Sequence, residues 1–76
     1  MTRHELGLLL AEATAITDVN ALAPDQPLTD QGIDSLDFAA LLLLIEERHG
    51  VVVPDSKVDE CSTVSGLLSF VNGFDS

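Results

Sequence analysis

Apolar residues recur at helical spacing in three stretches of the chain and are sparse between them. The first stretch predicts a helix over residues 3–16, with one apolar stripe formed by Leu6, Leu9, Leu10, Ala13 and Ile16. Thr2 and Glu5 have the spacing of a capping box, which satisfies two backbone amides at a helix start. Leu8 falls outside the stripe.

The segment from Asp18 to Asp34 has no persistent period and is rich in Asp, Asn, Pro, Gln and Gly. Pro24 and Pro27 stiffen it, because the proline ring fixes φ. Its isolated apolar residues, Leu22, Leu28 and Ile33, are expected to pin it to the core. The pattern therefore predicts a long, ordered loop, and loops of this length in small domains are commonly functional.

The second helical stretch begins at Ser35, with Asp34 as N-cap and Asp37 in the first turn. Its core stripe is predicted to be Phe38, Leu41, Leu44 and Ile45. A second apolar stripe is formed by Leu36, Ala39 or Ala40, and Leu43. A helix that is apolar on two faces is either enclosed or meets a partner with one of them. The second stripe is thus a candidate docking surface, the alternative being that Leu36 and Leu43 are core residues. Gly50 is the predicted stop after His49.

The remainder is predicted to hold one brief helical turn and one more helix. No second strand-like run can pair with Val51 to Val53, so these residues are read as an extended linker before Pro54. Asp55 is predicted to cap a turn over residues 56–60, and Ser62 or Thr63 to cap the last helix. That helix carries Val64, Leu67, Leu68 and Val71, with a stop at Asn72-Gly73 and a loose tail over residues 74–76.

These elements predict one all-α domain over residues 1–76, a small four-helix bundle with three main helices and one short helix. Composition agrees, since 46% of the residues are hydrophobic but only three are aromatic. Strands would favour β-branched and aromatic residues. The longest unbroken apolar run, residues 38–45, is far shorter than the about 20 residues that span a membrane. The first residues lack the pattern of a signal peptide. We expect a cytoplasmic monomer without membrane insertion.

Charge narrows the class of partner. Thirteen acidic residues against three basic ones give a net charge of −10. Such a surface repels nucleic acid and anionic lipid and attracts proteins with basic patches. The alternative is that the acidity only keeps a small apolar domain soluble.

Residues suited to catalysis or metal binding are scattered. His4, His49 and Cys61 lie in separate predicted elements and form no known motif. Asp30, Asp34 and Asp37 lack the spacing and the closing glutamate of a calcium loop. We therefore predict no catalytic residue and no metal site. A small thiol enzyme that uses Cys61 or a histidine stays open as a competing hypothesis.

Ser35 stands at a predicted helix N-terminus, where unpaired amides and the helix dipole favour an attached phosphate. The preceding Gly32 permits an unusual backbone conformation. The surrounding segment, DQGIDSL over residues 30–36, resembles the D-x-G-x-D-S-L attachment motif of acyl carrier proteins. Further likeness lies in the VPD, STV and VNG segments that begin at residues 53, 62 and 71, and in the order of the helices. The resemblance covers nearly the whole chain.

The resemblance implies a non-catalytic carrier of the acyl-carrier-protein fold. A phosphopantetheinyl transferase would attach 4′-phosphopantetheine from coenzyme A to Ser35, which Asp34 and Leu36 flank. The arm would carry acyl groups as thioesters to partner enzymes such as an acyl-loading enzyme, a ketosynthase, and a thioesterase or acyltransferase. Family partners bind the second helix, so the candidate partner-binding residues are Leu36, Asp37, Ala39, Leu43, Glu46 and Glu47.

Three residues depart from the family pattern. Gln31 stands where an apolar residue is common, and Phe38 and Ala40 stand where fatty-acid carriers tend to have Thr and Glu. We therefore favour a carrier for a specialised polyketide or related pathway. A fatty-acid carrier and an aminoacyl or peptidyl carrier are alternatives, and so is an unmodified acidic helical adaptor.

Overall fold

A computed structural model describes residues 1–74. It contains three helices, α1 (Arg3–Ala13), α2 (Ser35–His49) and α3 (Val64–Phe74). Three 3₁₀ turns lie between them, at Val19–Ala21, Leu28–Gln31 and Asp55–Lys57. Within this described part no residue is in a strand, so the all-α prediction is confirmed. Of the predicted tail, Phe74 belongs to α3, and residues 75–76 lie outside the described residues.

Helix α1 begins as predicted and ends earlier. Thr2 and Glu5 form the capping box, with amide-to-oxygen distances of 2.9 and 3.1 Å. The helix stops at Ala13, so the predicted range of 3–16 is wrong at its end. The side chain of Thr14 explains the stop, because its Oγ1 donates to the carbonyl of Leu10 and accepts from the amide of Ile16. These bonds turn the backbone out of the helix, although Ile16 still packs on the core.

The loop between α1 and α2 is tied down as predicted. Leu22, Leu28 and Ile33 are buried, and so is Val19, which the sequence did not single out. The amide of Leu28 donates to the carbonyl of Ser62 at 2.8 Å. The amide of Ser65, in the first turn of α3, donates to the carbonyl of Pro24 at 3.1 Å. The loop thus caps α3, and it contains two 3₁₀ turns that the sequence pattern did not predict.

Helix α2 lies against α1 with the predicted face. Phe38, Leu41 and Ile45 are buried and Leu44 is half-buried. Gly50 ends the helix in the left-handed conformation, with φ of 69°. Near that end, Nη2 of Arg48 lies 2.9 Å from Oε1 of Glu12 on α1. The hydrogen bond to Glu12 raises the pKa of Arg48.

The segment after α2 differs from the prediction in two places. The turn occupies Asp55–Lys57 and follows Pro54, whose carbonyl accepts from the amide of Lys57 at 2.8 Å. Asp55 therefore lies inside the turn and does not cap it, so the predicted range of 56–60 is wrong. Helix α3 also continues past Asn72-Gly73, because Gly73 does not adopt the positive φ that would end it.

The start of α3 resolves the choice between two predicted caps. Thr63 is the cap, since its Oγ1 accepts from the amide of Gly66 at 2.9 Å. The hydroxyl of Ser62 donates instead to the carbonyl of Asp59. A Cβ on residue 66 would lie 1.9 Å from the carbonyl oxygen of Glu60, so only glycine allows the preceding turn to lie this close.

One cluster of buried side chains joins the helices and the loops. None of its members is polar or charged apart from the thiol of Cys61. Its largest fully buried side chains are Leu6, Leu10, Leu28, Ile33, Leu41, Ile45, Leu67, Val51, Val64, Val71 and Cys61.

Candidate functional site

Ser35 is the first residue of α2, and its side chain is exposed. Its hydroxyl makes no hydrogen bond within residues 1–74, and the amides of Ser35 and Leu36 have no acceptor there. Free amides at the start of a 15-residue helix are the groups that bind phosphate at helix N-termini. The hydroxyl is thus accessible at a position where a phosphate ester is favoured.

Asp34 and Asp37 set the geometry of this helix start. Oδ1 of Asp34 accepts from the amide of Asp37 at 2.8 Å, and the carbonyl of Asp34 accepts from the amide of Phe38 at 3.0 Å. The predicted N-cap is confirmed. Oδ1 of Asp34 is therefore engaged with the helix, whereas the hydroxyl of the adjacent Ser35 makes no hydrogen bond within residues 1–74.

Gly32 directs the chain from the preceding 3₁₀ turn towards Ser35. Its φ is 90°, in the left-handed region that disfavours side chains. A Cβ there would meet no atom within 4 Å, so a side chain would have space. Glycine is required because of the backbone conformation.

Gln31 fixes the loop just before the site. Its Oε1 accepts from the amide of Ala23 at 2.7 Å, and its Nε2 donates to the carbonyls of Ala23 and Gln26, both at 3.0 Å. This side chain closes the loop across eight residues of sequence. In the sequence, Gln31 stands out only as a departure from a family pattern, and this clamp was not predicted. A polar residue at a position where an apolar one is common was the available signal.

We define the α2 face as Leu36, Ala39 and Leu43 together with Asp37, Glu46 and Glu47. Leu36 is 79% exposed and Leu43 is 54% exposed, so neither is a core residue. Ala39, Glu46 and Glu47 are exposed, whereas Asp37 is half-buried. All six residues belong to α2, but a partner-binding role stays a prediction.

The other reactive side chains do not converge with Ser35. His4 is exposed on α1, His49 is half-buried at the end of α2, and Cys61 is fully buried before α3. Burial raises the pKa of the Cys61 thiol. In the described part of the chain, no group of three His, Cys, Asp or Glu side chains could hold a metal ion.

Residues 5–71 match the family described as phosphopantetheine attachment site, and this segment includes nearly all of the three helices. The chain belongs to the acyl carrier protein family. The family resemblance found in the sequence is thereby confirmed.

Two curated acyl carrier proteins illustrate the similarity. This chain is 40% identical over 45 residues to the acyl carrier protein of Zymomonas mobilis, covering 59% of this chain and 58% of that protein. It is 40% identical over 43 residues to the acyl carrier protein of Thermosynechococcus vestitus, covering 57% and 53%. The matched segments thus span little more than half the length of these relatives.

The prosthetic group of this family is a covalently attached 4′-phosphopantetheine, as predicted. The helix start described above fits such a group, because it offers an exposed hydroxyl and two free amides. No helix in the described part of this chain is both long and apolar enough to cross a membrane.

Proposed function

We propose that this chain carries acyl groups on a 4′-phosphopantetheine arm attached to Ser35. The observation that carries the proposal is the exposed hydroxyl of Ser35, free of hydrogen bonds within residues 1–74, at the first turn of α2. Ser35 lies inside the segment that matches the family. When bound, the arm supplies a thiol that holds an acyl group as a thioester.

The chain's own residues fix the attachment point and favour its charge. The amides of Ser35 and Leu36, with the dipole of α2, stabilise a phosphodiester by about 0.3–1 kcal/mol at an exposed helix start. Asp34 holds the first turn in shape through the amide of Asp37. Gly32 and Gln31 keep the preceding loop in a single conformation, so that Ser35 is presented on an ordered support.

The α2 face is proposed to receive the partners. These are a phosphopantetheinyl transferase and acyl-processing enzymes such as a loading enzyme, a ketosynthase, and a thioesterase or acyltransferase. Exposed leucines supply apolar contact, while the carboxylates of Asp37, Glu46 and Glu47 meet cations on the partner. The net charge of −10 also speeds the approach of basic partners.

The pathway is proposed to be a specialised polyketide or related one. Ala40 supports this, because fatty-acid carriers tend to have Glu at that position. Without it, the middle of α2 has no carboxylate, and the acidic groups lie towards the two ends of the helix. Phe38 is buried and belongs to the core, and it therefore gives no support. Analysis of the acyl thioester by mass spectrometry of the carrier from its native host would identify the cargo. A fatty acyl or aminoacyl cargo would contradict the polyketide proposal.

The proposal also holds that the chain is a cytoplasmic monomer that delivers groups and catalyses no reaction. The burial of Cys61 and the separation of His4 and His49 on different helices support the non-catalytic part. The triple variant Cys61→Ala, His4→Ala, His49→Ala is expected to keep full carrier function, and a loss without unfolding would contradict this part.

The decisive experiment is intact-mass measurement after incubation with coenzyme A and a broad-specificity transferase. We expect one addition of the phosphopantetheine mass to the native chain and none to Ser35→Ala. Ser69→Ala, which changes an exposed serine on α3, is the matched control and should be modified as the native chain is. No addition to the native chain, or addition to Ser35→Ala, would overturn the proposal.

A further inference from the structure

A second exposed apolar surface lies between α1 and the 3₁₀ turn Val19–Ala21. It is an open cleft of about 280 Å³. Gly7, Leu8 and Val19 are among its lining residues. Leu8 is 56% exposed, which places it outside the core. A Cβ on Gly7 would lie 3.2 Å from Cγ1 of Val19, so the glycine allows the turn to approach α1 closely. We call this surface the α1 cleft.

Within residues 1–74, the α1 cleft carries the one Lys or Arg side chain that has no ion pair. Arg3 and His4 both line it. The chain has three Lys and Arg residues, and two of them are paired, Arg48 with Glu12 and Lys57 with Glu60. Arg3 makes no ion pair or hydrogen bond to any side chain within residues 1–74.

The helix dipole does not account for the charge of Arg3. Arg3 is the first residue of the helix, where the macrodipole disfavours a cation by about 0.3–1 kcal/mol. Arg3 has no ion pair within residues 1–74, and the exposed Leu8 lines the same cleft. A partner that complements both side chains would bring a carboxylate and an apolar side chain.

We propose that the α1 cleft binds a segment of a partner protein in which an apolar side chain lies next to a carboxylate. The apolar side chain packs against Leu8 and Val19, and the carboxylate pairs with Arg3. The proposal does not depend on the modification of Ser35, because Ser35 does not line the α1 cleft.

Two features oppose this binding, the carboxylate of Asp18 and the net charge of the chain. Asp18 also lines the cleft, where its Oδ1 accepts from the amide of Asn20 at 2.9 Å. The net charge of −10 repels an acidic segment at long range. At 0.15 M salt this repulsion is screened beyond about 8 Å, whereas contact with Arg3 lies within that distance. Binding should therefore be measured at that salt concentration.

The test is a titration of the full-length, isotopically labelled chain with two blocked peptides, followed by amide chemical shifts. The first peptide is acetyl-leucyl-aspartyl-alanine amide, and its control is the uncharged acetyl-leucyl-asparaginyl-alanine amide. We expect the acidic peptide to shift the amides of Gly7, Leu8 and Val19 and to leave those of Leu36 and Leu43 unchanged. The uncharged peptide should bind about two- to fivefold more weakly, the range of one exposed ion pair.

Variants separate the cleft from general effects of charge and hydrophobicity. Arg3→Gln should weaken binding of the acidic peptide about two- to fivefold, whereas Lys57→Gln should not. Leu8→Ala should weaken it about threefold to tenfold, whereas Leu36→Ala should not. Asp18→Asn keeps a good cap and should strengthen binding about twofold.

Three results would overturn the proposal. The first is that the amide chemical shifts change only on the α2 face. The second is that the two peptides bind with equal affinity. The third is that Arg3→Gln and Lys57→Gln weaken binding of the acidic peptide equally. Far-ultraviolet circular dichroism confirms that each variant is folded. Arg3→Gln removes a cation from a helix start and is not expected to destabilise α1.

Discussion

The α2 face and the α1 cleft are both exposed and apolar, but they differ in shape and in the charge around them. The α2 face lies along one helix and carries Asp37, Glu46 and Glu47. The α1 cleft lies between a helix and a turn and carries Arg3 and His4. A chain with a net charge of −10 thus keeps one of its exposed apolar surfaces beside a cation, Arg3.

This difference teaches that net charge does not describe every surface of a small protein. Overall acidity sets the long-range attraction of basic partners, but it decides little within a few ångströms of Arg3. The two surfaces should therefore choose partners of opposite charge. Mutations that act on one and spare the other test the comparison directly.

The largest expected effect separates the α2 face from the buried side of the same helix. Ile45→Ala should lower the free energy of unfolding by about 2–5 kcal/mol, because Ile45 is fully buried. Leu43→Glu should change it by no more than about 0.5 kcal/mol while weakening partner binding. Urea unfolding followed by circular dichroism measures both. A loss of several kcal/mol in Leu43→Glu would mean that the α2 face is packed.

The next effect concerns the loop that connects the two surfaces. Gln31→Leu removes three hydrogen bonds to Ala23 and Gln26 and should lower the free energy of unfolding by about 1–3 kcal/mol. Hydrogen exchange of the Ala23 amide should accelerate as well. Gln26→Leu is the matched control, because the side chain of Gln26 is exposed and makes no hydrogen bond within residues 1–74. Equal stability of the two variants would show that the clamp contributes nothing.

A smaller effect distinguishes the charges of the two surfaces. The double variant Glu46→Gln, Glu47→Gln should raise the KM of a phosphopantetheinyl transferase about two- to thirtyfold, with loss of the effect at high salt. Binding of the acidic peptide at the α1 cleft should not weaken. Asp25→Asn with Asp55→Asn removes the same charge elsewhere on the exposed surface and serves as control. An equal rise of KM in that control would assign the effect to net charge alone.

The smallest effect concerns pH and the helix that carries the cleft. The hydrogen bond from the amide of Thr2 lowers the pKa of Glu5 below its usual value of 4.5. The capping box therefore stabilises α1 fully above pH 4.5, and this contribution is lost as the pH falls through the lowered pKa. Glu5→Gln keeps an acceptor without the charge, so it should lose slightly less stability on acidification. Unfolding curves between pH 7 and pH 3 would check this, and parallel curves for the two proteins would contradict it.

The helices could be predicted because their signals are local. Thr2, Asp34 and Gly50 each mark a helix end through bonds or dihedral angles within a few residues. The accessible Ser35 followed from the same signals, since a cap at Asp34 places the next residue at the helix start. The exposure of Leu36 and Leu43 followed from helical spacing and from the small size of the chain.

The features that escaped prediction depend on contacts across the sequence or on side-chain bonds that compete with a helix. Thr14 ended α1 through its hydroxyl, although the apolar pattern continued to Ile16. The clamp of Gln31 reaches back to Ala23, and no periodicity reports such a pair. The α1 cleft exists because the turn at Val19 packs beside Gly7, a contact that only the folded chain defines.

The burial of Cys61 has a consequence for how this protein can be labelled. It is the chain's one cysteine, its side chain is fully buried, and its raised pKa keeps it in the unreactive thiol form at neutral pH. A maleimide dye added to the folded protein should therefore react with the thiol of a free arm and spare the polypeptide. Dye fluorescence would then report the fraction of arms that have a free thiol, and it would fall as the arms are loaded with acyl groups.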